Sequence, residues 1–564
     1  MLSWSLALRR TLFTALSVLA LAAAAPTFAL ADEAATDGGG GGKTQSVEDR
    51  HKDATAAEVE AGWARAPVKE TTTATPHTVT VNGRALHYTA TAGTLTIRDD
   101  DGKPTASMFY VAYTLDGVDP ATPRPVTFFY NGGPGSSSIW LHMGSFAPMR
   151  VRTANPETIR PAPFAFGPND QTLLDKTDMV FLDAIGTGFS RPLGATEYKA
   201  FWGVDQDADA FAKGIMRYVT RNSRWNSPKF LFGESYGTTR SAAVAYQLQD
   251  RGMALNGVVL LSSILNFGVE TPGYDEVYIG YLPSYAATAW YHNKIPNKPA
   301  DLATFVNQAR AFALGPYAAA LAKGHLITAE ERDSIAQQMS ALTGLSPDFI
   351  KRANLRVDLD RFQKELLRDQ RLTVGRFDSR YTGIDSDAAG SSPDYDPSDT
   401  AISGAFIGTF SDYVARELKF QTDMPYRVAA YGLKDFDWDW KHKPPTGGDA
   451  ETTPDVAQDL AVAMRTNPYL HVLSLNGYYD MATPFTSTEY DLSHMMLEPS
   501  QQKNLEFRYY PSGHMVYLNP EALRQMHADL SDFYDRTVES AQRGGLERSS
   551  PAPASPNRRP PPAQ

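Results

Sequence analysis

The 564-residue chain contains no cysteine. Disulfides, thiolate zinc sites, a cysteine nucleophile and a cysteine-linked lipid anchor are therefore excluded. Positive charge is also scarce: 53 Lys and Arg stand against 64 Asp and Glu, for a formal net charge of -11. No cluster of basic residues stands out, which argues against a nucleic-acid partner. Long apolar runs are missing after the first 31 residues, so no later segment reads as a membrane span. What remains is 42% hydrophobic and 21% charged, an ordinary globular composition on a chain long enough for a large core or two domains.

The ends of the chain look different from its middle. Arg9 and Arg10 precede the apolar stretch TLFTALSVLALAAAA, and Ala29-Leu30-Ala31 before Asp32 fits a small-x-small cleavage site. Residues 1–31 therefore read as a signal peptide, which leads us to expect an exported protein, periplasmic or secreted, with no integral membrane segment after cleavage. Residues 32–75, with GGGGG at 38–42, read as a flexible linker. Residues 542–564 end in SSPAPASPNRRPPPAQ, a Pro-rich tail expected to be disordered.

Between these ends the pattern is that of an α/β protein. TVTVNGRALHYTATAGTLTI alternates apolar and polar residues about Asn82-Gly83, a hairpin signal. ASMFYVAYTL, PVTFFY, MVFLD, FLF, GVVLLS and LHVLSLN read as strands, the short apolar ones as buried parallel strands. Helical stretches such as DADAFAKGIMRYVT and RSAAVAYQLQ lie between them, and such alternation predicts a mostly parallel sheet covered by helices. Strand signals are few from 266 to 455. We read that region as a largely helical insertion between a first core part, 76–265, and a second, 456–541.

One short stretch, FLFGESYGTTRS, carries the chemistry. GESYG has the form G-x-S-x-G, it follows an apolar strand, and it precedes a helical run, the context of a nucleophile elbow at Ser235. Glycines two residues either side of a nucleophile remove clashes at a sharp turn. A serine hydroxyl needs a base, and the base an orienting acid. In chain order these follow the serine. His514, in the Gly-bearing loop YYPSGHMVYLNP after the strand-like LEFRYY, is the best placed of the later histidines, whereas His471 falls inside a strand. Asp480 follows the strand LHVLSLN, and Asp491, in a helical stretch, is its rival for the acid. NGGPGSSS at 131–138 follows PVTFFY, and its glycines would let backbone N–H groups approach a developing oxyanion. A flexible Gly/Pro/Ser turn is the plainer reading of that loop taken alone.

NGGPGSSS, DAIGTGFS (183–190), GESYG, NGYYD and GHMV, in this order, resemble the serine carboxypeptidase family over roughly 105–265 and 465–520. The resemblance implies an α/β-hydrolase fold with a cap inserted in its sheet. It also implies a peptide substrate and no metal or cofactor. By the same resemblance Ser235 matches the nucleophile, Asp480 the acid and His514 the base. The N–H groups of Gly133 and Tyr236 match the oxyanion hole. Asn131, Gly132 and Glu234 match the residues that bind the substrate's terminal carboxylate. A protonated carboxyl can donate to a carboxylate and an ionised one repels it, so the resemblance implies peptidase activity favoured at acidic pH.

The chain departs from the family in three places. Ser136 stands where the family usually has cysteine. Gly144 or Ser145, in HMGSFAPMR, stands where the family carries a second glutamate, leaving His142 as a candidate substitute. Tyr517 follows GHMV where the family often has proline, and we read it as a local loop difference. The missing second glutamate keeps an esterase or acyltransferase with the same triad as the alternative function; a non-catalytic binding protein on the same scaffold is a third reading, which the presence of all three triad candidates argues against. The aromatic run YIGYLPSYAATAWYH (Tyr278, Tyr281, Tyr285, Trp290, Tyr291) and WDW at 438–440 could line a substrate pocket or simply pack a core.

Overall fold

The computed structural model describes residues 65–119, 123–154, 156–269, 271 and 273–547. The expected signal peptide, and most of the expected linker and tail, lie outside the described residues. Both inner boundaries move. Strand β1 (Thr72–Val81) begins inside the segment expected as linker. Just before it, the Glu70 carboxylate is held by Arg217 at 2.8 Å and by Arg221 at 3.0 Å. At the other end the last helix runs from Pro520 to Glu547, past the expected start of the tail at 542.

The sheet starts from the hairpin. β1 pairs antiparallel with β2 (Arg84–Arg98) through a turn in which Asn82 and Gly83 have φ of 49° and 76°. Positive φ at both turn residues suits the twist of a two-residue hairpin. β3 (Pro104–Leu115), β4 (Val126–Tyr130), β5 (Asp178–Leu182), β6 (Lys229–Ser235), β7 (Gly257–Ser263), β8 (His471–Gly477) and β9 (Leu505–Tyr510) follow. Their order across the sheet is β1-β2-β3-β5-β4-β6-β7-β8-β9. β5, β4, β6, β7, β8 and β9 run parallel to one another. Each of β4, β5 and β7 is buried along its whole length, because helices cover both faces of the sheet. Two hydrophobic clusters form, one on each face. α1 (Val204–Arg221) and α2 (Tyr236–Asp250) pack on one of them. This is the α/β-hydrolase architecture.

Between β7 and β8 the chain leaves the sheet. α3 (Asp275–Tyr291) opens a group of helices that runs to α4 (Ser403–Arg416). These helices have a cluster of their own around Leu282, Tyr285, Phe305, Tyr317 and Phe362. The expected helical character stops at α4. Residues 417–456 form no helix, and isolated bridges pin this stretch to the core, among them Ser136 with Ala429 and Gly203 with Asp439. Main-chain pairing with the sheet-end loops replaces internal helical hydrogen bonds there. α5 (Ala457–Thr466) then leads back to the sheet.

Candidate active site

The β6–α2 junction turns at Ser235, whose φ of 61° and ψ of -133° lie outside the regions that non-glycine residues prefer. The surroundings enforce the turn. A Cβ at Gly233 would stand 2.1 Å from the Gly237 carbonyl oxygen, and one at Gly237 would stand 2.8 Å from that of Tyr130. Only glycine fits at either place. The Thr238 hydroxyl donates to the Ser235 carbonyl at 2.7 Å.

The loop after β4 lies directly against this junction. A Cβ at Gly132 would be 2.4 Å from the Tyr236 nitrogen, and Gly133 has φ of +107°. The two segments that carry the Gly133 and Tyr236 N–H groups are thus in contact beside Ser235. The loop is anchored from below. Asp183 Oδ1 accepts from the Ser138 N–H at 2.8 Å, and the Ser138 hydroxyl donates to the Leu182 carbonyl. Gly188 is required by the same carboxylate, since a Cβ there would sit 1.8 Å from Asp183 Oδ2. DAIGTGFS therefore supports the NGGPG loop. The fully buried Arg240 pairs with Asp207 at 2.6 Å and donates to the Asn131 carbonyl at 2.5 Å. A guanidinium from α2 thereby fixes the start of the same loop.

Asp480 and His514 meet at the ends of β8 and β9. His514 Nδ1 lies 2.8 Å from Asp480 Oδ2. The N–H groups of Ala482 and Thr483 donate to Asp480 Oδ1 at 2.8 and 3.0 Å, and the Thr483 hydroxyl donates to Oδ2 at 2.8 Å. With Nδ1–H directed at Asp480, the unprotonated nitrogen of a neutral ring is Nε2. Nε2 is buried and has no hydrogen-bond partner. Burial alone would lower the pKa of His514, but the charge and hydrogen bond of Asp480 and the charge of Glu234 outweigh it, and the net shift is upward. The rival acid, Asp491, serves elsewhere: its Oδ2 accepts from the N–H groups of Leu265 and Asn266, each at 3.1 Å.

The segment that braces these two loops comes from the insertion, and nothing in the sequence pattern marked it beyond the charges of RFDSR. The His514 N–H donates to the Phe377 carbonyl at 2.6 Å, and the Phe377 ring lies 5.2 Å from the imidazole. The Met481 N–H donates to the Arg376 carbonyl at 3.1 Å, and the Ser379 N–H to that of Tyr479 at 3.0 Å. Arg380, paired with Asp378 at 2.5 Å, reaches the Pro511 carbonyl at 3.0 Å and the Ser512 hydroxyl at 3.2 Å. Five residues thus clasp both the acid and the base loop.

Glu234, next to the nucleophile, is 2% exposed. Its Oε1 accepts from the Tyr517 hydroxyl at 3.2 Å, and its Oε2 is buried with no partner. Burial pushes the carboxyl up to about 7, against the lowering effect of His514, Tyr517 and Asn131. Tyr517 is therefore more than a loop difference, because it lies inside the site. A Cβ at Gly144 would be 2.5 Å from its ring. His142 does not substitute for an acid here. It stacks on Phe181 at 4.2 Å and hydrogen-bonds the Tyr113 hydroxyl at 2.7 Å, and burial lowers its pKa to about 3.

The aromatic candidates divide. Tyr285 is stacked on Phe362 at 3.8 Å in the insertion's own core, and Tyr278, Tyr281 and Trp290 pack against that core. Only Tyr291 reaches toward the site, 5.4 Å from the ring of Tyr479. WDW lies close to it: Trp438 meets the Tyr236 ring edge-on at 5.3 Å. The same stretch covers the NGGPG loop, with the Ala430 N–H donating to the Gly135 carbonyl at 2.7 Å. His442, between Asp205 at 2.6 Å and Asp459 at 2.9 Å, clamps the far end of this stretch to the core. Among the described residues no group of three or more His, Asp or Glu side chains could hold a metal ion.

Residues 82–306 match the family model for serine carboxypeptidases. Over this segment the chain is similar to that family. The matched segment holds Asn131, Glu234 and Ser235, whereas Asp480 and His514 lie beyond it. No curated protein matches the sequence. Among solved structures the chain is similar to the prohormone-processing carboxypeptidase Kex1 of Saccharomyces cerevisiae, at 13% identity, 80% of this chain, 91% of that one and a TM-score of 0.47. It is also similar to a proline iminopeptidase of Mycobacterium smegmatis, at 14% identity, coverage of 79% and 99% and a TM-score of 0.35. A carboxyl esterase of Bacillus coagulans follows at 12% identity, coverage of 79% and 98% and a TM-score of 0.32.

Proposed function

We propose that this serine carboxypeptidase-family hydrolase releases C-terminal residues from peptides through an acyl-enzyme. Ser235 Oγ attacks the last peptide carbonyl while His514 Nε2 takes its proton, and Asp480 holds the imidazolium by its Nδ1–H. The N–H groups of Gly133 and Tyr236 bind the oxyanion. As the C–N bond breaks, His514 returns the proton to the leaving amino group. Water, deprotonated by the same nitrogen, then attacks the ester, and Ser235 regains its proton. Asn131, the Gly132 N–H and Glu234 bind the terminal carboxylate.

One observation carries the choice of a free C-terminus over other acyl substrates: a buried carboxyl adjoins the nucleophile with its Oε2 unpartnered. When neutral, that oxygen can donate to a carboxylate. The esterase or acyltransferase reading draws on Gly144, which supplies no second acid. We further propose export, to periplasm or medium, on the strength of residues 1–31.

The test is amino-acid release, read by mass spectrometry, from matched free-acid and C-terminally amidated peptides between pH 4 and 8. Stepwise loss from free acids is expected. Ester hydrolysis that depends on Ser235, with no discrimination between the two peptide sets, would overturn the carboxypeptidase reading and favour the alternative.

A further inference from the structure

We propose that Tyr517 is a positioning residue that ties down Glu234 Oε1 and so directs Oε2 toward the substrate's terminal carboxylate. The inference rests on the carboxypeptidase reading. A neutral carboxyl can carry its proton on either oxygen. A hydroxyl that donates to Oε1 makes that oxygen an acceptor, and the proton goes to the other. In this site the donor is the Tyr517 hydroxyl, 3.2 Å from Oε1, and the other oxygen, Oε2, is the buried atom without a partner.

The phenol is built in. Tyr517 is fully buried in the short turn Val516–Leu518 that follows the His514 loop. Its ring occupies the space beside Gly144, where a Cβ would come within 2.5 Å of Cε2 and 2.7 Å of Cδ2. Burial and the neighbouring Glu234 charge raise the pKa of this phenol well above its ordinary value, so it stays a neutral donor across the working pH range. The other groups that act on Glu234 are the Asn131 side chain from the loop after β4, His514 from the loop after β9 and Asp480 from the loop after β8. Asn131 also lowers the pKa of Tyr517, against the raising effect of burial. Tyr517 thus holds one oxygen of the carboxyl, and the unpartnered Oε2 is its open end.

The experiment compares Tyr517→Phe, which removes the hydroxyl and keeps the ring, with Gly144→Ala, which pushes on the ring from the other side. For both, the ratio of kcat/KM on free-acid peptides to kcat/KM on esters should fall on the order of ten-fold, chiefly through KM. The loss of a donor also destabilises ionised Glu234, so the alkaline limb of the free-acid profile should move to higher pH. The carboxyl band of Glu234, isolated as an infrared difference against Glu234→Gln, reports the same upward shift without any substrate. An equal fall on both substrate types, or an unmoved carboxyl band, would overturn the role of Tyr517. A wild type without free-acid preference would overturn the carboxypeptidase reading instead, so the two failures are read separately.

Discussion

The two halves of the site are held in opposite ways. The nucleophile half, Ser235 with the NGGPG loop, is fixed by crowding of the main chain at adjacent strand ends, where Gly132, Gly233 and Gly237 leave no room for a Cβ. The base half, Asp480 and His514, hangs on two loops that are clasped by residues 376–380 from the insertion. The first half is a property of the hydrolase sheet, whereas the second depends on the cap staying docked. Substitutions in the cap should therefore reach the base without disturbing the elbow.

The sharpest break is at the nucleophile. Ser235→Ala should lower kcat by about five orders of magnitude or more. Its melting temperature should stay near wild type, because backbone contacts hold the elbow. A residual rate within a hundred-fold of wild type would remove Ser235 from the mechanism.

Arg380→Ala tests the other half. It leaves Asp378 buried and unpaired, at a cost of roughly 3–5 kcal/mol in denaturant unfolding. The base loop loses its contacts at Pro511 and Ser512, and kcat should fall on the order of a hundred-fold. Labelling of Ser235 by a fluorophosphonate should slow with it, while the sheet's far-ultraviolet dichroism stays unchanged. Equal damage to the elbow and the base would erase the contrast between the halves.

The clamp at His442 offers a pH test of cap docking. Burial would lower its pKa, but the hydrogen bonds and charges of Asp205 and Asp459 push it up to about 10, against an ordinary 6.5. The clamp's stabilisation is thus complete below about 6.5 and is lost as pH rises toward about 10. Thermal unfolding of the wild type should show this alkaline loss, and His442→Gln should flatten it.

The smallest effect separates binding from chemistry. Free-acid turnover should decline as pH rises through about 7, where Glu234 ionises, and ester turnover should not. Glu234→Gln keeps a donor that does not titrate, so its free-acid activity should persist above that pH, at a higher KM. A decline retained in the variant would assign the limb to another group.

The nucleophile half was legible in the sequence because its parts are contiguous: GESYG and NGGPG each encode a turn whose shape only glycine allows. Asp480 could be picked over Asp491 only as the residue just past a strand. The structure separates the two by giving Asp491 to the Leu265 and Asn266 amides. By sequence His142 is a candidate for the site and the tyrosines of 278–285 are open between pocket and core; all of them pack in cores, since aromatic residues are used for packing and for recognition alike. Tyr517 looked like a loop variation, because a hydroxyl that reaches Glu234 across 283 positions leaves no local pattern.

By itself the sequence determined a mostly parallel α/β sheet, the place of the insertion and the elbow at Ser235, because strand periodicity, helix alternation and glycine-bounded turns are local properties. Only the tertiary structure decided which residues brace the base, what Glu234 touches and where WDW lies. Those contacts join segments far apart in the chain, and their energies come from burial and from partners met only after the sheet and the cap have packed together.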